Sequence, residues 1–161
     1  WKLAQRAGVS TSSVHAYIVG EHGDSEFALW SQARIGPVPI REWADDAGSR
    51  LSVEELDTLA EEVKNAAYAV IAGKGATNYA IGLSGACIVE AILGDEGAIL
   101  PVSSVLTDYH GVSGVALSVP SVVNAQGVSQ VIDVPFSAEE ERAFHHSAET
   151  IQSSLEALDL E

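Results

Sequence analysis

The segment from Ser52 to Leu93 constrains the fold most, because its apolar residues recur at intervals that suit helices and not strands. Ser52 and Glu55 have the spacing of a capping box, which starts a helix. Apolar residues then recur every three or four positions as far as a Gly-Lys-Gly turn. A second helix is predicted from near Thr77 to about Leu93. Since this second helix has little polar surface, we expect it to be largely buried, in part against another domain or subunit.

The C-terminal half adds strands and one further helix. Residues 98–106 predict a strand, and residues 116–123 and 128–134 predict two more, joined as an antiparallel hairpin. A serine then caps a helix predicted over residues 138–158. Because the hairpin strands are set apart from the helices and do not alternate with them, the pattern predicts an α+β fold. Its length suits a single domain over residues 1–161.

A short polar turn carries the strongest candidate for catalysis. Residues 13–20 predict a strand that leads into this turn, where Gly20 and Gly23 flank Glu21 and His22. Glycines on both sides let the backbone bend tightly and leave the imidazole uncovered. Histidine can gain and lose a proton near neutral pH, so His22 could serve as a general acid and base. On spacing alone, His22 could also be a solvated turn residue, which is the commoner case for a histidine in such a turn.

Longer segments resemble one family. GEHGDSE followed by LWS, with HAY before it, is similar to the active-site segment of the L-lactate dehydrogenase family, and the likeness continues through NAAYAVIAGKGATNYAIG, ILPVSS and FHHSAET. It covers nearly all of the chain and implies the family's C-terminal, substrate-binding domain. A nucleotide-binding half would then precede Trp1, which agrees with a chain that has no methionine. We therefore expect a C-terminal fragment of a longer polypeptide; a processed N-terminus is the alternative.

The resemblance also implies roles for individual residues. His22 would move a proton while hydride passes between NAD and lactate or pyruvate. Thr77 and Ala67 would line the substrate pocket, and Ile81, one helical turn after Thr77, would pack near the nicotinamide ring. His15 would bind fructose 1,6-bisphosphate across a subunit interface, giving an allosteric homotetramer. On local chemistry alone, Thr77 is first a helix cap, Ala67 a packing residue and His15 an ordinary polar residue.

The remaining parts of such an active site would lie in the preceding half. That half would supply the aspartate that orients the imidazole and two arginines that bind the substrate, so the fragment is expected to be inactive alone. Asp24 is expected to stabilise the turn. The sequence Gly73-Lys74-Gly75 lacks the third glycine of a dinucleotide-binding loop and follows a helix, so this chain should not bind the whole of NAD.

Two other functions stay open from the sequence. Malate dehydrogenase has the same fold, histidine and hydride chemistry, and it differs chiefly at a loop residue that would precede this chain. A non-catalytic interaction domain would need no acid–base group. A metal site is not expected: His145, His146 and Glu149 include candidate ligands on one helix face, but no convergent third ligand can be named.

The charge balance and the single cysteine limit the partners and the compartment. With 8 basic and 23 acidic residues, the chain has a formal net charge of -15, which argues against nucleic acid or an anionic membrane as a partner. Cys87 cannot form an internal disulfide, as suits a reducing compartment. We find neither a recognisable signal peptide nor an apolar run of transmembrane length, and we expect a cytoplasmic protein.

Overall fold

The computed structural model of the chain describes residues 1–158, so the last three positions of the expected domain lie outside the described residues. The described chain forms helices and short and long strands in this order: α1 (Lys2–Ala7), β1 (Val14–His15), β2 (Ile18–Val19), β3 (Phe27–Ala28), β4 (Arg34–Ile35), β5 (Val38–Pro39), α2 (Val53–Lys64), α3 (Ala66–Lys74), α4 (Asn78–Leu93), β6 (Ala98–Val105), β7 (Ala116–Asn124), β8 (Gly127–Val131) and α5 (Ala138–Ala157).

The strands form three antiparallel sheets. The largest has the order β6-β7-β8, with Pro101 opposite Pro120 in the β6–β7 ladder. The other two are β1-β4-β5 and the pair β2-β3. Every strand pair within residues 1–158 is antiparallel. The predicted α+β class is therefore confirmed, since strands in alternating βαβ units would be parallel.

The largest core cluster lies where α5 packs on β7. Phe144 from α5 and Leu117 and Val119 from β7 are each 0% exposed. Along α5, Phe144, Ala148 and Ile151 belong to this cluster, and their spacing places them on one helix face. Burial of a side chain as large as Phe contributes about 1.5–3 kcal/mol. This contact fixes α5 and β7 against each other.

Two smaller clusters of buried apolar residues stabilise the N-terminal half. One joins α1 to α2 through Leu3, Ile40 and Leu56. The other contains Val19 and Leu29, both 1% exposed, on β2 and just after β3. Val19 is the last residue of β2, so the chain is already anchored in the core when it enters the turn that carries the candidate histidine.

The expected strand over residues 13–20 is interrupted. A 3-10 turn covers Thr11–Ser13, and the extended residues then form two separate strands, β1 and β2. β1 pairs with β4, whereas β2 pairs with β3. The chain changes pairing partner at residues 16–17, and alternation of side chains along a sequence does not report such a change.

The other differences also concern where elements break. The helix expected from Ser52 to the Gly-Lys-Gly turn is two helices that meet at Asn65, whose side-chain amide donates to the carbonyl oxygen of Glu61 (2.8 Å). Such a bond competes with the backbone ladder. From Gly36-Pro37 and Pro39 the sequence predicts an interruption of regular structure. This prediction is wrong, because β4 and β5 form a two-stranded hairpin there.

The helix α4 is present as predicted, but its expected burial is not found within this chain. Ile81 and Leu83 are each 72% exposed and Leu93 is 82% exposed, while Ala91 is buried. Apolar side chains of this size are seldom left in a continuous exposed row. That another domain or subunit covers the apolar side chains of α4 stays a prediction. None of the helices in residues 1–158 combines the length and the apolar character needed to cross a membrane.

The predicted capping box of α5 connects the helix to the site-bearing half. The Ser137 backbone N–H donates to Glu140 Oε2 (2.8 Å), and the Glu140 N–H donates to Ser137 Oγ (3.3 Å). Glu140 Oε1 also accepts a hydrogen bond from the Ser31 N–H (2.8 Å), beyond β3. Burial raises the pKa of Glu140, but these hydrogen bonds from Ser31 and Ser137 outweigh burial and lower it.

Replacing Glu140 with glutamine should destabilise the fold in a pH-dependent way. A carboxyl with a lowered pKa stabilises the folded state above its unfolded pKa, and this stabilisation is lost as pH falls through the folded value. We expect Glu140→Gln to reduce the free energy of unfolding by about 1–3 kcal/mol at pH 7. The difference from wild type should shrink steadily below about pH 4.

Urea denaturation at pH 7 and at acidic pH measures this difference. Glu139→Gln is the matched control, because Glu139 is exposed in the same first turn of α5. Equal effects of the two substitutions at pH 7 would contradict the role given to Glu140.

Candidate active site

The turn that follows β2 is held close to β7 and α5 through Gly20. The Gly20 N–H donates to the Ser118 carbonyl oxygen (2.8 Å), and the Ser118 N–H donates to the Gly20 carbonyl oxygen (2.9 Å). Gly20 has φ +97°, and a Cβ at this position would lie 2.7 Å from Ser147 Oγ on α5. Glycine is therefore needed here both for its backbone conformation and for the close approach of α5.

The backbone on both sides of His22 is tied down by hydrogen bonds. The Glu21 N–H donates to Ser147 Oγ (2.5 Å). The Glu21 carboxylate in turn accepts from the Ser25 N–H (3.1 Å) and from the Ser25 hydroxyl. The turn from Gly20 to Ser25 is thus closed on itself and attached to the rigid α5–β7 packing.

The imidazole of His22 is the exposed part of this fixed turn. Its side chain is 99% exposed, and its Nδ1 lies 3.6 Å from Glu26 Oε2, whose side chain is 15% exposed. Burial raises the pKa of the Glu26 carboxyl, and the nearby His22 opposes this effect. An ionised Glu26 stabilises positive charge on His22. The pair therefore places a carboxylate beside an accessible ring.

A cleft of about 760 Å³ opens beside the ring. Its volume lies within the range that pockets for small ligands usually have. Besides the turn, its walls come from the α2–α3 junction, from α4, from β6 and from β7. The lining residues of these elements are Val63, Lys64, Ala67, Tyr68, Ser84, Ile88, residues 101–103 and Ser118. The histidine therefore faces an accessible hollow and is not walled off within the fold.

Asp24 bonds to α3 and not to the imidazole. Its Oδ1 accepts a hydrogen bond from the Tyr68 hydroxyl (3.2 Å), and the Asp24 charge raises the pKa of Tyr68. This contact links the far end of the turn to the wall of the cleft. It agrees with the expectation that Asp24 stabilises the turn, and the carboxylate next to His22 is Glu26 instead.

The structure brings some of the sequence-predicted residues together and leaves others apart. Ala67 lines the same cleft as His22. Thr77 is half-buried before α4, without a capping hydrogen bond from its side chain, and neither Thr77 nor Ile81 belongs to the cleft lining. His15 is exposed on β1, opposite Arg34 of β4 and in a different sheet from β2.

Sequence reasoning missed two residues that shape the site. Glu26 lies four positions after His22, but outside a helix this spacing does not predict contact. Ser147 bonds to Glu21 across 126 positions of sequence, a distance over which no local pattern gives a signal. The segment FHHSAET that contains Ser147 was recognisable only as part of a resemblance.

The histidines considered as metal ligands lie on α5. Within residues 1–158, no three His, Cys, Asp or Glu side chains are grouped as metal ligands. His145 lies 3.5 Å from Glu141 through its Nε2, as an ion pair along α5.

Comparison with known proteins identifies the fold. Residues 1–159 match the family described as lactate/malate dehydrogenase, alpha/beta C-terminal domain. The L-lactate dehydrogenase of Bifidobacterium animalis subsp. lactis is 52% identical over 153 residues, which are 94% of this chain and 48% of that protein.

Solved structures give the same result. The minor L-lactate dehydrogenase of Enterococcus mundtii is 42% identical, with a TM-score of 0.92 over 99% of this chain and 51% of that one. The malate dehydrogenase of Aeropyrum pernix is 28% identical, with a TM-score of 0.85 over 96% of this chain and 50% of that one. The chain spans about half the length of the relatives it matches. It belongs to the lactate/malate dehydrogenase family, and residues 1–159 are the alpha/beta C-terminal domain of that family.

Proposed function

We propose that this chain is the substrate-binding part of an NAD-dependent L-lactate dehydrogenase that interconverts (S)-lactate and pyruvate. The observation that carries the proposal is His22, exposed on a fixed turn beside a cleft of about 760 Å³ and 3.6 Å from a mostly buried carboxylate. The names of its relatives support the choice of substrate.

His22 is the proton donor and acceptor in this proposal. In the direction of pyruvate reduction, the protonated ring donates to the carbonyl oxygen of the substrate. In the direction of lactate oxidation, the neutral ring accepts the hydroxyl proton. Glu26 favours the charged ring, and the hydrogen bonds of Glu21 and Ser25 keep the backbone from shifting as the ring changes charge. Ala67, which lines the same cleft, is assigned to the substrate pocket.

The residues of this chain fit one end of NAD. The cofactor, when bound, supplies or accepts the hydride. Ile81 offers an exposed apolar side chain that suits the face of a planar ring, and Thr77 precedes α4 as its N-cap residue, four positions before Ile81. Gly73-Lys74-Gly75 ends α3 and is not a phosphate-binding loop after a strand. We assign the rest of the cofactor to a preceding nucleotide-binding half.

That half and further subunits are the proposed partners. The exposed apolar residues of α4 give them a surface to cover. A homotetramer regulated by fructose 1,6-bisphosphate is proposed for the same enzyme. It is supported by exposed His15 beside Arg34, because two adjacent basic side chains suit a phosphate group. A cytoplasmic location is part of this proposal.

Malate dehydrogenase is the second candidate, favoured by the similarity to the Aeropyrum pernix enzyme. Its chemistry would use His22 in the same way. The ratio of kcat/KM for pyruvate to kcat/KM for oxaloacetate, measured in the active enzyme that contains this chain, separates the two.

In that active enzyme, His22→Asn should lower kcat for pyruvate reduction by about 10²- to 10⁴-fold, since it removes the acid–base group. NADH binding, followed by fluorescence, should be nearly unchanged. His146→Asn is the control, because His146 is exposed on α5 and away from the cleft. A normal rate for His22→Asn would remove His22 from the proposed role.

Glu26→Gln should lower the same rate by about 2- to 5-fold at pH 7, the effect expected for loss of one ion pair. The raised pKa of Glu26 means that its carboxylate loses its charge at a higher pH than an ordinary Glu with a pKa of 4.5. The difference in rate between the variant and wild type should therefore disappear as pH falls through the raised pKa of Glu26. Exposed Glu42, changed to Gln, is the control. A loss that stays constant down to acidic pH would contradict the charge effect.

The chain alone should not turn over pyruvate with NADH, because it lacks the arginines and the cofactor site assigned to the other half. Activity should return when the nucleotide-binding half of a relative is added or fused. The oxidation of NADH at 340 nm measures both cases, and turnover by the isolated 161-residue chain would contradict this prediction.

A further inference from the structure

The helix α5 contributes a polar residue to the site from the opposite end of the sequence. Ser147 follows the core residue Phe144 and is itself 0% exposed. It points to the turn of His22 and not to the core: its Oγ accepts from the Glu21 N–H at 2.5 Å and lies 3.2 Å from Ser25 Oγ. A hydroxyl that is buried so completely needs hydrogen-bond partners within the protein, and Ser147 finds them in this turn.

The hydrogen bonds around Ser147 form a closed ring. The Ser25 hydroxyl has one hydrogen, and the shorter of its two contacts directs it to the Glu21 carboxylate. The Ser25 hydroxyl also stands as the donor toward Ser147 Oγ at 3.2 Å, the longer of its two contacts. The Glu21 N–H donates to Ser147 Oγ, and the Ser25 hydroxyl donates to the Glu21 carboxylate and, over the longer distance, to Ser147 Oγ, so the three residues are connected in a ring. This ring encloses the backbone on both sides of His22.

We propose that Ser147 is a positioning residue for His22, which fixes the turn so that the imidazole is held at one place in the cleft. The inference rests on the proposed function, because it assigns Ser147 a purpose in that reaction. Ser147 does not touch the substrate and acts through Glu21 and Ser25. Alanine at this position would leave the Glu21 N–H without its partner and would open the ring of hydrogen bonds.

The gap between α5 and the turn explains why serine fits. Ser147 Oγ lies 2.7 Å from where a Gly20 Cβ would stand, and Ser147 Cβ lies 3.3 Å from it. A Cβ at position 20 would therefore collide with the Ser147 side chain. A small hydroxyl residue on α5 and a glycine in the turn are both required for the contact.

The test uses Ser147→Ala in the active enzyme that contains this chain. Misplacement of a reacting group by about 1 Å can lower rates by about 10²-fold, and we expect kcat to fall by about 10-fold or more while the KM for NADH stays unchanged. Ser121→Ala is the matched control. Ser121 is also 0% exposed, and its Oγ donates to the Val119 carbonyl oxygen (3.0 Å) within β7, away from the turn.

A second comparison separates positioning from a general loss of structure. In the His22→Asn background, Ser147→Ala should lower the remaining rate by less than about 2-fold, because a residue that acts through His22 has little to add once His22 is gone. An equal loss in both backgrounds would overturn the proposal, as would a loss no larger than that of Ser121→Ala.

Ser25→Ala provides a variant that leaves α5 intact. It breaks the same ring from the side of the turn, and it should lower kcat in the same direction as Ser147→Ala. Amide hydrogen exchange at Glu21 should be faster in both variants, and unchanged exchange would overturn the proposal. A full rate in His22→Asn would overturn the proposed function itself, whereas loss in His22→Asn with a wild-type rate in Ser147→Ala would overturn only this inference.

Discussion

The packing of α5 on β7 is the contact on which the site depends. Phe144 and Leu117 are wholly buried at this contact, and the turn of His22 is attached to both elements, to β7 through Gly20 and to α5 through the Glu21 N–H. A catalytic side chain needs a backbone that does not move and a ring that stays accessible. Here the core packing of α5 and β7 fixes the backbone of the turn, and the exposed end of the turn keeps the His22 ring accessible.

In the proposed function the chain carries one side of an active site, and its surface is consistent with this. The imidazole and its carboxylate partner face an open cleft, while α4 presents a row of exposed apolar side chains such as Ile81 and Leu83. The nucleotide-binding half proposed to precede this chain would cover such a cleft. The substrate contacts proposed for Thr77 and Ile81 depend on what covers α4, because neither residue lines the cleft by itself.

Much of the fold could be predicted from the sequence, because helix caps and periodicity are local properties. The capping boxes at Ser52 and Ser137 and the β7–β8 hairpin were predictable for this reason. The change of strand partner after β1 was not, since it depends on pairing with segments further along the chain. The break at Asn65 was not either, because the side-chain bond of Asn65 to Glu61 leaves no mark in the apolar periodicity. His22 stood out through its glycines and its resemblance to a family. Glu26 and Ser147 needed the three-dimensional structure.

The central claim is that His22 takes part in proton transfer to a small keto acid. Nuclear magnetic resonance of the histidine side chains in the active enzyme, with NADH and with or without the substrate mimic oxamate, tests this claim most directly. The ring signals of His22 should shift when oxamate binds, because only an imidazole beside the bound acid senses its charge, and those of exposed His146 should stay in place. Unchanged His22 signals at saturating oxamate would contradict the claim.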